Sequence, residues 1–177
     1  MKKSIGFWQM IGFIFTAILG TLLHFLFDWT GGSAAAALIS AVNESIWEHM
    51  KLLFYPMVAF ACIEYRYWGR EIPSFWCVKL VGILVGLALI PALYYTYTGI
   101  LGMEADWFNI TIFFISAGYA YWLESRLLQK DTCHLTQLAA VAIIVLISLL
   151  FTVFTFLTPE IPFFRDPKTG TYGFQKS

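Results

Sequence analysis

Five apolar stretches, each about 20 residues long, alternate along the chain with short polar segments. They cover residues 7–27, 46–65, 74–98, 107–127 and 136–157. Because an α-helix rises about 1.5 Å per residue and the hydrocarbon core of a bilayer is about 30 Å thick, each stretch is long enough to cross it. The pattern therefore predicts an all-α, polytopic integral membrane protein, with five transmembrane helices in a single bundle over residues 1–158.

The second apolar region is longer than one span requires. A continuous helix over residues 33–65 would measure about 50 Å, so the pattern predicts a break. Ser45 and Glu48 have the spacing of a capping box, in which the serine side chain binds an early backbone N–H and the glutamate binds back to the cap. We expect the break at residues 43–45, with residues 34–42 forming a short re-entrant or interfacial helix.

The composition supports a membrane location. The chain has 177 residues and a mean hydropathy of +0.72, and only 12% of its residues are charged. A soluble domain typically contains about 25% charged residues. The formal net charge is zero and no basic run occurs, which excludes the electrostatic footprint of a nucleic-acid-binding protein. Membrane lipids are the expected partners, with a homo-oligomer as a further alternative.

The basic residues predict an orientation in a cytoplasmic (inner) membrane. A cytoplasmic N-terminus places most of them on the cytoplasmic side, namely Lys2, Lys3, Arg66, Arg70, Lys79, Arg126 and Lys130. The opposing connections, residues 29–33 and 99–106, contain no Lys or Arg, so the positive-inside rule places the N-terminus inside and the C-terminus outside. Arg165, Lys168 and Lys176 disagree, but a terminal segment weighs less than several short loops.

The predicted orientation also decides on which side of the membrane the cysteines and the C-terminal residues lie. Cys62, Cys77 and Cys133 lie in the predicted cytoplasmic half, where thiols stay reduced, so no disulfide is expected. Residues 159–177 are rich in turn-forming pairs and in phenylalanines that require burial. We expect these residues to form an ordered extracytoplasmic tail over the bundle.

Ionisable residues concentrate where the first span ends and the second begins. His24 and Asp28 are four residues apart and share one face of the first helix. The segment 43–51 adds Glu44, Glu48, His49 and Lys51. Because an ionisable group costs about 2.5–3.5 kcal/mol at the bilayer centre, such a cluster indicates a site. Both sets lie at the same predicted depth, and we expect them to meet in one pocket beneath the tail.

Three interpretations of this pocket remain open. The charges can form a structural network that pairs Glu48 with Lys51 and Asp28 with His24. They can form an acid–base site, with Glu48 as the leading acid or base and with further candidate catalytic residues His24, Asp28, His49 and Glu44. They can hold a metal ion, since His24, Asp28, Glu44, Glu48 and His49 offer the N and O ligands that suit zinc, although the HExxH pattern is absent.

The acid–base interpretation predicts an outer-leaflet pocket that binds and transforms a lipid or small amphipathic molecule. Such a protein would be a membrane-embedded isomerase or hydrolase. The residues expected to line the pocket are Asn43, Trp47, Lys51, Tyr55, Arg165 and Asp166. No cofactor is needed for this chemistry, and zinc enters only with the metal interpretation. The alternatives are a transporter or channel subunit, or a structural membrane protein.

The motifs also carry two resemblances. The segments His24–Trp29 (HFLFDW), Asn43–His49 (NESIWEH) and Phe164–Pro167 resemble an uncharacterised family of small bacterial membrane proteins, a domain of unknown function, over nearly the whole chain. This resemblance implies five spans and no assigned activity. A second resemblance is to the sterol-isomerase and sigma-2-receptor-like group, whose members have a His-x-x-x-acid motif and a carboxylate on another helix. It implies acid–base chemistry at His24, Asp28 and Glu44 or Glu48, although the span count and loop order differ.

Overall fold

Five long helices form the bundle in the computed structural model, which describes residues 2–130 and 132–175. They are α1 (Lys2–Trp29), α3 (Ile46–Tyr67), α4 (Phe75–Leu101), α5 (Asp106–Leu128) and α6 (Gln137–Phe156). A short helix, α2 (Ala34–Ala37), precedes α3, and single 3-10 turns lie at Gly69–Glu71 and Pro162–Phe164. Each predicted apolar stretch falls on one long helix, which confirms the all-α prediction.

Four of these helices are long and apolar enough to cross a membrane, which supports an integral membrane protein. They are α1 over Ile5–Trp29, α3, α4 and α6. Helix α5 has 23 residues and is long enough, but its most apolar stretch is less apolar than those of the other four helices, and it contains Asp106, Glu124 and Arg126. It packs against α1 and α4. Four of the five predicted spans therefore have the length and composition that a span requires, and the fifth, α5, stays a prediction.

The core of the bundle lies between α3 and its neighbours α1, α4 and α6. Leu53, Phe54 and Met57 of α3 are almost completely buried there. Gly82 and Gly86 of α4 have the spacing of a GxxxG motif, and both lie at close helix contacts. A Cβ at Gly82 would collide with the Glu124 carboxyl group, and one at Gly86 would lie 2.8 Å from Leu53 Cδ2.

The chain breaks before α3 where predicted, but in a different form. The Ser45 side chain caps α3, because its Oγ accepts a hydrogen bond from the Glu48 backbone N–H at 3.4 Å. The Glu48 side chain does not bind the Ser45 backbone N–H. That Ser45 N–H instead donates to Asn43 Oδ1 at 3.0 Å. The Glu48 carboxylate instead accepts the Val42 N–H at 3.2 Å. The predicted helix over residues 34–42 was too long, since the chain must turn after α2 to bring Val42 to Glu48.

The C-terminal residues 159–175 fold over one end of the bundle, which we call the tail end. The Phe164 side chain is buried there, and the Phe174 backbone N–H donates to the Thr155 carbonyl at 2.8 Å. Gly173 has φ +55°, and a Cβ at this position would collide with the Thr158 hydroxyl. Only glycine therefore meets both the backbone and the space requirements of this contact.

One expectation fails at the opposite end of the bundle. Cys77 and Cys133 form a disulfide with their Cα atoms 5.9 Å apart, whereas no disulfide was expected. The connection between α5 and α6 brings Cys133 beside the start of α4, a proximity that the sequence pattern does not contain. Lys79, counted among the basic residues on the cytoplasmic side, is buried inside the bundle, with 1% of the residue exposed, and its side of the membrane stays a prediction. Lys176 and the side chains of Lys2 and Lys3 lie outside the described part of the chain.

Candidate functional site

A cavity of about 320 Å³ opens at the tail end, between α1, α3, α4 and α5. Its apolar lining includes Gly20, Leu52, Ile90, Ile112, Phe113 and Phe114. Its polar lining includes His24, Glu44, His49, Asp106, Asn109 and Lys168. Ligand sites in proteins commonly have volumes of about 300–1,000 Å³ and combine apolar walls with a few convergent polar groups. This cavity is therefore a candidate binding site.

Two histidines and a glutamate converge at the polar side of the cavity. His49 Nε2 lies 3.5 Å from Glu44 Oε2, and His24 Nε2 lies 3.8 Å from Glu44 Oε1. The two imidazole rings are 5.4 Å apart between centroids. All three side chains line the cavity and are between a quarter and a third exposed, so they are only partly hydrated. We call this set the His–Glu–His cluster.

The helix ends explain how this cluster forms. His24 lies near the end of α1, Glu44 lies in the break before α3, and His49 lies in the first turn of α3. The His49 Nδ1 donates to the Ser45 carbonyl at 3.0 Å, because a carbonyl oxygen can only accept. A neutral His49 therefore presents its unprotonated Nε2 to Glu44. The His24 Nδ1 is buried and has no hydrogen-bond partner within the described residues.

The tail contributes a lysine to the same cavity. Asp166 is buried, and its Oδ1 accepts the backbone N–H of Lys168 at 2.7 Å and that of Thr169 at 3.3 Å, which fixes the turn. Lys168 Nζ then lies 3.2 Å from Asp106 Oδ1 and 3.9 Å from Glu44 Oε2. The hydrogen bond to Asp106 and the nearby charge of Glu44 raise the pKa of Lys168 above its usual value, so the ammonium group stays charged at neutral pH.

Glu48 and Lys51 lie apart from this cavity, in a network of their own. Lys51 Nζ is 2.7 Å from Glu48 Oε2 and also donates to the Ala37 carbonyl at 2.8 Å. Thr155 Oγ1 of α6 donates to Glu48 Oε1 at 2.8 Å. Both charged side chains are almost completely buried, and neither lines the cavity. This is the arrangement of a structural ion pair, the first of the three interpretations, for Glu48 and Lys51.

The other predicted pocket residues also lie elsewhere. Asp28 is exposed on α1 and does not line the cavity. Trp47 packs against the tail, with its ring 5.0 Å from that of Phe164. Tyr55 lies within hydrogen-bonding distance of Ser148, and Asn43 donates to the Gly173 carbonyl. Arg165 is exposed, and Asp166 contributes to the cavity only by fixing the turn that carries Lys168. Of the predicted catalytic residues, the structure thus brings together His24, Glu44 and His49.

Sequence reasoning missed a second buried network, at the opposite end of the bundle. Lys79 forms ion pairs with Glu64 and Glu124, the latter at 2.5 Å, and Gln9 Nε2 donates to Glu64 at 2.6 Å. All four side chains are nearly fully buried. Each charge lies close to the end of a predicted span, where basic and acidic residues usually reach water. Only the tertiary contacts show that these side chains point inward.

The polar residues of α5 and the tail were also missed at the cavity. Asp106 and Asn109 lie one turn or less from the start of α5, and Lys168 lies 62 residues after Asp106. No spacing rule connects residues at such separations. The Asp-Pro pair at Asp166 was the available signal, because it predicts the turn that places Lys168.

Residues 1–174 match the family of unknown function DUF6512, and the chain therefore belongs to that family. This confirms the predicted resemblance to an uncharacterised family, whereas the resemblance to the sterol-isomerase group stays a prediction. Comparisons with curated proteins and with solved structures found no match. Because family membership carries no activity here, a function has to be argued from the site itself.

Proposed function

We propose that the cavity at the tail end binds a lipid or a small amphipathic molecule. The observation that carries this proposal is the division of the lining: apolar side chains form the walls, whereas His24, Glu44, His49 and Lys168 lie together on the polar side. An amphipathic ligand would bury its chain against Phe113 and its neighbours. Its polar group would reach the charged side chains, where hydrogen bonds replace those it made to water.

The same cluster supplies groups for acid–base chemistry on such a ligand. Glu44 is within about 4 Å of both histidines, and His49 is oriented by its hydrogen bond to Ser45. A carboxylate beside an oriented imidazole can exchange a proton with a bound molecule. We therefore assign the acid–base role to Glu44 and the histidines. Glu48, which the sequence favoured, has its carboxylate occupied by Lys51, Thr155 and Val42.

The membrane setting of this proposal retains five spans, with α5 as the fifth, in a cytoplasmic membrane. The short-loop residues Arg66, Arg70, Arg126 and Lys130 favour a cytoplasmic N-terminus, and five spans then place the C-terminus outside. The cavity would thus open at the extracytoplasmic surface, on the outer-leaflet side. The disulfide between Cys77 and Cys133 favours the reverse orientation, since disulfides persist in oxidising compartments.

A transport route receives less support than a one-sided pocket. The two buried charge networks lie near opposite ends of α3, at Glu48 and Glu64. Between them, α3 is lined by Leu53, Phe54 and Met57, which are buried and apolar. Because an ion or polar solute needs polar contacts through the full depth of the membrane, this middle layer favours a pocket.

Lipid retention by the purified protein tests the proposal. We would purify the chain in a mild detergent and identify co-purified molecules by mass spectrometry. Thr21 lines the cavity, and its replacement by Phe should fill it and abolish retention. The matched control is Thr111→Phe, because Thr111 makes the same type of bond to the carbonyl four residues earlier and does not line this cavity.

Glu44→Gln is the second variant in this experiment. It should weaken retention of the ligand, since it removes the charge at the polar side of the cavity, while leaving the melting temperature almost unchanged. Ion pairs that remain partly open to solvent, such as those of Glu44, contribute only about 0–1 kcal/mol to stability. A wild-type protein that retains no amphipathic molecule, or equal retention in Thr21→Phe and Thr111→Phe, would refute the proposed function.

A further inference from the structure

We infer that His24, Glu44 and His49 form a binding site for a divalent metal ion of the zinc type, with an open coordination position on the cavity. The inference goes beyond the proposed function, because a metal ion could bind here whether or not the cavity holds an amphipathic molecule. It differs from the five-residue set suggested by the sequence, since Asp28 and Glu48 are not part of it.

The distances between the three side chains fit such a site. One potential ligand atom from each residue can be chosen so that all three lie within 4.8 Å of one another. Zinc bonds of about 2.0–2.2 Å in tetrahedral geometry place neighbouring ligand atoms about 3.3–3.6 Å apart. His49 Nε2 lies 3.5 Å from Glu44 Oε2, which already meets this, and His24 Nε2 lies 3.8 Å from the other carboxylate oxygen, Glu44 Oε1. Small side-chain rotations would complete the site.

The hydrogen bond of His49 prepares its ring to bind a metal. Its Nδ1 donates to the Ser45 carbonyl at 3.0 Å, so a neutral ring directs the lone pair of Nε2 toward Glu44. Metal-binding histidines generally donate their other ring nitrogen to a carbonyl or carboxylate, which fixes the tautomer and the ring orientation. Ser45 is itself held as the cap of α3, so the start of this helix positions the ligand.

Two histidines and one glutamate form the ligand set of several catalytic zinc sites, in which the fourth position holds water or substrate. Here all three side chains line the cavity, so a further ligand would approach from it. The polar group of an amphipathic molecule, such as a carboxylate or phosphate, could occupy that position. The metal ion would then connect the two properties of the site.

The charges around the cluster favour a cation. Glu44 and Asp106 carry two negative charges, and Lys168 offsets only one of them. Lys168 Nζ is 3.9 Å from Glu44 but 3.2 Å from Asp106, and its side chain is 52% exposed. It can therefore move away from Glu44 and keep its contact with Asp106 when a dication binds. Lys168 should act as a competitor of the metal ion.

The test is a zinc titration of the full chain, purified in detergent and treated with a chelator. Isothermal titration calorimetry should show one Zn²⁺ per chain, and Co²⁺ should give a visible absorption band when it binds. Replacing a metal-orienting residue costs about 10–100-fold in affinity, so loss of a ligand itself should cost more than about 100-fold. We expect this loss in His24→Ala, in His49→Ala and in Glu44→Gln.

His134→Ala is the matched control. The chain has three histidines, and His134 is the exposed one that lies between α5 and α6, at the opposite end of the bundle. Its replacement should leave zinc affinity unchanged. Lys168→Met provides a second measurement that does not depend on altering a ligand, and it should tighten zinc binding by about tenfold, because it removes a positive charge near the dication.

The outcomes separate this inference from the proposed function. Absence of zinc binding by the wild-type chain, loss of binding in His134→Ala, or wild-type affinity in both His24→Ala and His49→Ala would overturn the metal site. Weaker binding in Lys168→Met would also count against it. Thr21→Phe, which fills the cavity, should abolish lipid retention and leave one zinc site, so either result can fail without the other.

Discussion

Glu48 and Lys51 form a buried ion pair near the tail end. Each is almost completely buried, and their 2.7 Å ion pair is closed by Thr155 and by backbone groups. A buried charge without its partner is strongly destabilising. Glu48→Gln should therefore lower the free energy of unfolding by about 3–5 kcal/mol. Denaturation in detergent, monitored by tryptophan fluorescence, measures this effect.

The double variant Glu48→Gln, Lys51→Met is the control for this prediction. It removes the unpaired ammonium group, so part of the lost stability should return, because an apolar side chain needs no partner. A Glu48→Gln protein of normal stability that no longer retains its ligand would contradict us. It would instead support Glu48 as the acid or base of the site, as the sequence pattern favoured.

At the scale of the helices, the close approach of α4 to α5 depends on Gly82. A Cβ at this position would collide with the carboxyl group of Glu124, which pairs with Lys79. Gly82→Ala should lower the stability by about 1–3 kcal/mol, the usual cost of overpacking, because neither the helices nor the ion pair can keep its position. The midpoint of thermal unfolding in detergent measures the change.

Gly118→Ala is the comparison for Gly82→Ala. Gly118 also lies inside a helix, but its Cβ would meet only Phe13 Cε2, at 3.7 Å, which is ordinary van der Waals contact. Here the better helix propensity of alanine should raise the stability by up to about 1 kcal/mol. Equal effects of the two substitutions would show that the α4–α5 contact does not depend on the missing side chain of Gly82.

The tail is a second element with a single critical position. Gly173 has a positive φ and no space for a Cβ next to Thr158, and it precedes the hydrogen bond from Phe174 to Thr155. Gly173→Ala should release the tail, so trypsin should cut at Lys168 several times faster than in the wild type. Gly170→Ala is the control, because its φ is also positive but its Cβ would meet only the flexible Arg165 side chain, at 3.3 Å. Protection of Lys168 in Gly173→Ala would contradict this role.

At the scale of the whole molecule, buried charges connect the helices at both ends of the bundle. Lys79, Glu64, Glu124 and Gln9 join α1, α3, α4 and α5 at one end. Glu48 and Lys51 join α2, α3 and α6 at the other. The apolar core lies between these networks. Because apolar side chains pack without a preferred partner, the charged groups can set which helix lies beside which.

Orientation is the property of the whole molecule that is most directly testable. Alkaline phosphatase fused after residue 175 should be active, and a fusion between α5 and α6 should be inactive, because the proposed topology places the C-terminus outside. Reporter activity in cells measures both. The reverse pattern would contradict the positive-inside argument and would place the Cys77–Cys133 disulfide in the oxidising compartment.

Helix positions and the break before α3 could be predicted because they depend on neighbouring residues. Hydropathy over about 20 positions defines a span, and Ser45 caps α3 through an N–H three residues away. His24 and Glu44 were correctly proposed to meet, since one lies near the end of α1 and the other precedes α3. Glu48 does not join them, because helical spacing does not specify which neighbouring helix a side chain contacts. Asp28 lies exposed on α1 and does not line the cavity.

The sequence by itself determined the all-α fold, the apolar stretches and the concentration of ionisable residues near the first break. The tertiary structure decided which of these groups share an environment. It separated Glu48 from Glu44 by directing one toward Thr155 on α6 and the other toward His24 on α1. The physical reason is that a buried charge needs a partner, and partners such as Thr155 and Lys168 come from segments more than 100 residues away.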